Sequence, residues 1–174
     1  MREKTLESNT VFEGRILSVD VLKVALPDGR TSTREIVRHG PAVAVIARRP
    51  DKQFIFIRQF RKAMERTCFE VMAGNCDPGE DPEVAAIREL KEETGYAALS
   101  IHPLGSIYPS VGYCTERIDI FYAEVGNEPG ETDFDHDEEI ETVLLTEKQV
   151  KAMIQQGDIQ DAKTLAAWCL YKSS

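Results

Sequence analysis

The chain has 174 residues, with 21 Lys and Arg against 30 Asp and Glu, giving a formal net charge of −9. That length suits about one domain and buries a core without disulfides or a structural metal. Hydrophobic residues at 42% and charged residues at 29% exclude a disordered chain and a fibre. The acidic balance argues against coating nucleic acid or anionic membrane, because both would repel it. An anionic substrate would therefore need positive charge recruited to hold it.

Residues Met1 to Thr10 are polar and charged, with no apolar run of signal-peptide length. No segment approaches the ~18 apolar residues that a membrane span needs. Cys68, Cys76, Cys114 and Cys169 are scattered, without a CxxC pair or a histidine at zinc-ligand spacing. They read as free thiols, and a cytoplasmic location is the expectation.

Residues 15–38 read as a hairpin around the Pro27-Asp28-Gly29-Arg30 turn, and His39-Gly40-Pro41 breaks the chain after it. Strands follow at Ala42–Ala47, Phe54–Phe60 and Phe69–Met72, and then a loop rich in Gly, Asn, Asp and Pro over Gly74–Gly79. A helix is predicted next, with Asp81 as N-cap, Pro82 at its first position and Gly95 as its stop. Strands near Leu104–Tyr108 and Arg117–Val125 lead to an acidic loop over Gly126–Glu139 and a strand at Ile140–Leu145. Thr146 and Gln149 make a capping-box pattern for a helix ending by Gly157, and a last helix spans Ala162–Tyr171. Strands outnumber helices without regular β-α-β alternation, so the fold class is α+β with a mixed sheet.

At about 100° per residue, Val84, Ile87 and Leu90 fall on one face of the first helix and are predicted to meet the core. Glu89, Glu92 and Glu93 fall on the opposite face. A solvated acidic face would explain them, but two costs argue otherwise. The three acids crowd the negative end of the helix dipole. Glu89 and Glu93 are also like charges at i,i+4, unfavourable by about a few tenths of a kcal/mol. A bound cation would offset both, and hard divalent ions prefer carboxylate oxygens.

Gly74, five residues, Glu80, seven residues, then Arg88-Glu89-Leu90-Lys91-Glu92-Glu93-Thr94-Gly95-Tyr96 matches every fixed position of the Nudix hydrolase signature over 23 residues. The flanks extend the resemblance. Glu70-Val71-Met72-Ala73-Gly74 resembles the E-x-x-A-G extension of ADP-ribose and nucleotide-sugar pyrophosphatases, and Arg58-Gln59-Phe60-Arg61 resembles their R-Q-[FY]-R strand. Pro109, 16 residues beyond Glu93, and the tail segment Gly157–Thr164 are similar to the same subgroup.

The resemblance implies an α/β/α sandwich that hydrolyses a nucleoside diphosphate linked to another moiety by substitution at phosphorus. It implies an N-terminal strand or hairpin region at 1–40, crossing to a partner in a homodimer, and a catalytic domain at 41–174. Metal, Mg²⁺ or else Mn²⁺, would be held by Glu89, Glu93, Glu92 and the backbone carbonyl of Ala73. Glu80 and Arg88 would be structural within the motif, together with Gly74, Gly95 and Pro109. Divalent ions neutralise pyrophosphate charge, while a separate base activates the attacking water.

The resemblance implies that this base comes from a loop before a late strand, here Glu131–Glu141, which holds seven acids in eleven residues. Aligning Ile140-Glu141 with the subgroup's strand start puts Glu138 at the base position, with Glu139 as the alternative; His136 would suit by pKa. Asp133, Asp135 and Asp137 open like an EF-hand, but Glu138 and Leu144 stand where glycine and glutamate are required. Arg61 is the expected phosphate contact, because a guanidinium fork matches phosphate oxygens. Arg58 and Arg38 are weaker candidates. Glu70 is either a substrate contact or a strand-end ion pair, and Phe12, Tyr108 and Tyr113 could stack a base.

The lead expectation is a metal-dependent pyrophosphatase of ADP-ribose or other nucleoside diphosphate sugars. The alternatives are an RNA 5′-pyrophosphohydrolase or nucleoside triphosphate pyrophosphatase, and a non-catalytic nucleotide-binding module. The partners expected are a nucleotide sugar and a second copy of the chain, with neither membrane nor nucleic acid.

Overall fold

The computed structural model describes residues 2–133 and 139–174. They form two compact units, one up to Pro41 with Tyr108–Arg117, the other Ala42–Ile107 with Ile118–Ser174.

In the first unit, β1 (Lys4–Glu13), β2 (Leu17–Ala25) and β3 (Thr31–His39) make an antiparallel sheet in that order. The β2–β3 turn forms as expected, with Gly29 at φ 87° and Arg30 donating to the Asp28 carboxylate. Strand β1 adds to the expected hairpin. All ten of its residues are exposed, so no buried face marks it in the sequence; backbone pairing from Lys4↔Ala25 to Glu13↔Ser18 holds it. Residues 108–117, which lie within the expected 41–174 region, cluster with this unit. The Val37 N–H donates to the Tyr113 carbonyl at 2.7 Å, and the Thr115 N–H donates to the Val37 carbonyl at 3.0 Å, tying this segment to β3.

The second unit contains β4 (Ala42–Arg48), β5 (Phe54–Arg61), β6 (Arg66–Glu70), β7 (Met72–Asn75), α1 (Pro82–Thr94), β8 (Ala98–Ile107), β9 (Ile118–Val125), β10 (Ile140–Leu145), α2 (Glu147–Gln156) and α3 (Ala162–Ser173). The strands run in the order β10-β5-β4-β9-β8, with β6 added beside β5 and β7 beside β4. The β4–β9 pair is parallel and the other pairs are antiparallel, so the sheet is mixed.

Central strands buried on both faces read as unbroken apolar runs. Ala42, Ala44, Ile46, Phe54 and Phe56 face α2 and α3 with Val150 and Trp168. Val43, Val45, Ala47, Ile55 and Ile57 face α1 with Ala86 and Leu90. The α+β expectation and the helix–sheet–helix layering are both observed. No helix among the described residues is long and apolar enough to cross a membrane.

One face assignment is corrected. Helix α1 packs through Ala85, Ala86, Leu90, Glu93 and Thr94, while Val84 and Ile87 project outward at 56% and 40% exposure. Two small alanines let the helix approach the sheet closely. The buried face is therefore rotated from the one marked by the largest aliphatic side chains, and it takes Glu93 with it.

Candidate active site

The loop before α1 is set by its own polar groups. Asp81 accepts from the Glu83 N–H at 2.9 Å, Pro82 occupies the first turn, and Gly95 ends the helix at φ 73° with its N–H on the Lys91 carbonyl. Glu80 accepts from the Asp77 N–H at 2.9 Å and from Arg88 at 3.0 and 2.9 Å. Arg88 thus bridges loop to helix, and its Nη2 also donates to the Asn75 carbonyl at 3.0 Å. The Arg88 hydrogen bonds, helped by the Asp77 N–H, pull the Glu80 carboxyl down to about 2.

Arg88 does more than its expected bridging. Its Nη1 donates to Glu89 at 2.8 Å and to Glu92 at 3.0 Å, so one guanidinium faces three carboxylates. Arg88 makes five hydrogen bonds in all, more than the three donors of an ammonium could supply. The Arg88 pKa is raised, chiefly by its hydrogen bond to Glu80.

Glu89 reaches across to β7 and occupies the space above Gly74. A Cβ built on Gly74 would fall within the van der Waals shell of the Glu89 carboxylate. The motif glycine is thus required by a close approach, not by a left-handed backbone. Gly74→Ala should displace Glu89 and raise the metal concentration needed for half-maximal activity by about 10–100-fold. A metal titration of wild type and variant checks this; an unchanged midpoint would sink it. Glu93 is 6% exposed, and Ala73 pairs with Ala44 next to Gly74.

Arg61 and Glu70 form a fork-to-fork pair, with Nε and Nη2 each 2.8 Å from a Glu70 oxygen. Lys163, near the start of α3, donates to the same carboxylate. Burial pushes the Glu70 carboxyl up, but the Arg61 hydrogen bonds and the Lys163 charge outweigh it and leave it lowered. Arg61 is raised by its bond to Glu70, against burial, and it also feels the Glu93 and Asp161 charges. Arg58 pairs with Glu141 at 2.9 Å across the β5–β10 ladder, and both are well exposed.

The expected site residues thus fall into groups. Glu80, Arg88, Glu89 and Glu92 form one linked network, and Arg61, Glu70 and Lys163 a second. Pro109 lies in a turn of the first unit, where Phe12, Tyr108 and Tyr113 are each more than half exposed, and Arg38 there pairs with Asp20 at 2.9 Å. Glu138 and His136 lie outside the described residues, and Glu139 is exposed just before β10. Beside the end of α1 is a depression of about 500 Å³ lined by Arg88, Lys91, Glu92, Glu131, Thr132 and Asp133. Lys163 and the reach of Arg88 to Glu89 and Glu92 were not foreseen; the only hint of the former is its place in the Gly157–Thr164 tail segment.

Among the described residues, no three His, Cys, Asp or Glu side chains converge in a metal-holding arrangement as they stand. The donor set nevertheless fits a hard divalent ion. It offers the Glu89 carboxylate in the Gly74 cradle, the buried Glu93, Glu92 on the same helix, and the Ala73 carbonyl next to that cradle. Arg88 holds Glu89 and Glu92 to one side, which keeps these like charges together.

A loop–helix–loop carrying three glutamates, seated on a mixed sheet between two helical layers, defines the class. Residues 38–168 match the NUDIX domain, and the chain belongs to that family. Residues 3–37 match the nucleoside diphosphate sugar hydrolase N-terminal domain. Over 168 residues the chain is 38% identical to the ADP-ribose pyrophosphatase of Bacillus subtilis, covering 96% of this chain and 91% of that one. It is 39% identical over 166 residues to the methanol dehydrogenase activator of Bacillus methanolicus, covering 95% and 90%. It is 35% identical over 179 aligned positions to the GDP-mannose pyrophosphatase of Cronobacter sakazakii, again covering 95% and 90%. The crystal structure of an ADP compounds hydrolase shares the fold, with a TM-score of 0.89 at 24% identity over 99% of this chain and 94% of that one. Nudix hydrolases generally need divalent metal ions.

Proposed function

We propose that this chain is a Mg²⁺-dependent pyrophosphatase, also served by Mn²⁺, of ADP-ribose or other nucleoside diphosphate sugars. It releases a nucleoside monophosphate and a sugar phosphate. The observation that carries this reading is Glu89 lodged over Gly74, with Glu93 buried on the same helix, in a chain with relatives named ADP-ribose pyrophosphatase and GDP-mannose pyrophosphatase. Glu89, Glu92, Glu93 and the Ala73 carbonyl would hold the metal. When bound, the metal neutralises pyrophosphate charge and makes water easier to deprotonate.

The remaining steps belong to the chain's own residues. Glu138, or Glu139 in its place, takes the proton of the attacking water. The water oxygen bonds to phosphorus, the anhydride P–O bond breaks, and the departing phosphate keeps the electron pair. Arg61 presents Nη1 to a phosphate oxygen, since its Nε–Nη2 edge is occupied by Glu70. Lys163 shares the Glu70 charge and so keeps Arg61 from being fully neutralised.

The protein works in the cytoplasm as a homodimer built on residues 1–40, and residues 41–174 carry the chemistry. The dimer is supported by an edge strand, β1, that is exposed throughout and displays Leu6, Val11 and Phe12. Light scattering should give twice the 19.5 kDa chain mass.

The deciding experiment is phosphate release across nucleotide sugars, dNTPs and 5′-triphosphorylated RNA with Mg²⁺ present. Fastest turnover is expected on a nucleotide sugar. A clear preference for dNTP or RNA would replace this reading, and inactivity on the whole panel would favour a binding module.

A further inference from the structure

Between β6 and β7 the chain changes partners. Strand β6 pairs with β5 as far as Ile57↔Glu70, and β7 pairs with β4 from Val45↔Met72 onward. Val71 lies at the changeover, outside both registers, and is fully buried. A buried backbone N–H left without a partner forfeits its hydration with nothing in return. The Val71 N–H instead donates to Oγ1 of Thr164, in the first turn of α3, at 3.0 Å. Thr164 is itself completely buried.

A second bond fixes the direction of this one. The Thr164 hydroxyl lies 2.6 Å from Oδ2 of Asp161, and a carboxylate only accepts. The hydroxyl proton therefore goes to Asp161, which leaves the oxygen free to accept from Val71. Asp161 caps α3 without that hydroxyl, because it also accepts the Thr164 backbone N–H at 2.9 Å. Threonine is a weak helix former as well. Nothing local to α3 calls for a buried hydroxyl here, whereas the Val71 amide does.

The contact repeats one residue back. Lys163 donates to Glu70 as Thr164 serves Val71, so successive residues of α3 hold successive residues of the strand segment. Glu70 in turn holds Arg61, the expected phosphate contact. Beyond Val71, Ala73 pairs with Ala44, and Gly74 pairs with Val43 and meets the Glu89 carboxylate. Residues 70–74 thus join the partner of Arg61 to the metal cradle, and α3 grips them at the changeover.

We propose that Thr164 is a positioning residue for the metal cradle. Its hydroxyl fixes the Val71 amide and so sets the Ala73 carbonyl and Gly74 relative to Arg61. This rests on the metal-dependent pyrophosphatase reading. Groups that orient metal donors from outside the site are worth about 10–100-fold in metal affinity or activity.

The test uses the full-length protein and compares Thr164→Val, which keeps the shape without the hydroxyl, with Thr164→Ser, which keeps the hydroxyl. Mn²⁺ is titrated without substrate, well below each melting temperature, and free Mn²⁺ is read by electron paramagnetic resonance. Thr164→Val is expected to weaken Mn²⁺ binding roughly tenfold. Exchange of the Val71 amide, followed by NMR in the folded protein, should speed up by a similar factor. Thr164→Ser should stay close to wild type in both. A residue that only stabilised the fold would lower the melting temperature of Thr164→Val and leave its Mn²⁺ affinity unmoved. That result overturns the proposal, and so does an equal loss in the serine variant. If Thr164→Val does not fold, Thr164→Cys, whose sulfur is a weak acceptor, takes its place.

The wild-type titration separates the proposal from the reading beneath it. A wild type that binds no Mn²⁺ would overturn the metal-dependent reading and the proposal with it. Wild-type binding matched by Thr164→Val would overturn the proposal alone.

Discussion

Glu93→Gln should leave the protein folded and nearly inactive. The metal is being asked for several kcal/mol of charge stabilisation, so losing one of its ligands should cut kcat roughly 10²–10³-fold. The stability effect should have the opposite sign. Glu93 is 6% exposed on the packed face of α1 with Leu90 and Ala86, so its charge is held largely out of water. A neutral amide of the same shape avoids much of that desolvation. Arg61, a cation whose charge reaches Glu93, keeps its two hydrogen bonds to Glu70 when the Glu93 charge is gone. The melting temperature of the metal-free variant should therefore equal or exceed that of wild type. Activity against Mg²⁺ concentration and a thermal melt check both halves. Native turnover at low Mg²⁺ would remove Glu93 from the ligand set, and a large fall in melting temperature would mark it as a structural residue.

This expected trade of stability for metal binding explains why α1 was only half legible from sequence. Its frame was written locally. Asp81, Pro82 and Gly95 act within one turn of themselves, and all three took the predicted roles. The Thr146–Gln149 capping box is equally local and forms as expected. The buried face is different, because it depends on how near the helix lies to the sheet. Ranking by hydrophobicity chose Val84 and Ile87, whereas close packing chose Ala85 and Ala86. That rotation turned a supposedly solvent-facing carboxylate, Glu93, into a buried one.

Non-local pairings were also out of reach. Lys163 meets Glu70 across 93 residues of chain, and only the fold brings α3 to the end of β6. Glu70, read as a substrate or outer-sphere residue or else a strand-end ion pair, is paired with Arg61. Strand β1 was invisible for another reason: with every residue exposed it has no apolar alternation, so only its partner strand defines it. The acidity that first excluded polyanionic partners is concentrated where the mechanism would use it, on α1 and in the Glu131–Glu141 segment.

Glu138→Gln is the second variant with a large expected effect, and it bears on the loop. General-base catalysis is worth about 10²–10⁴-fold, so kcat should fall by that factor with KM nearly unchanged. Dependence on Mg²⁺ should persist, because the ligands on α1 are untouched, and this separates the variant from Glu93→Gln. Glu139→Gln is the necessary companion. Glu139 sits immediately before the Ile140↔Gln59 pair and is exposed. If Glu138 is the base, Glu139→Gln should stay within a few-fold of wild type at every pH. The reverse result would shift the base by one residue, and large losses in both variants would mean that the loop acts through its shape or summed charge.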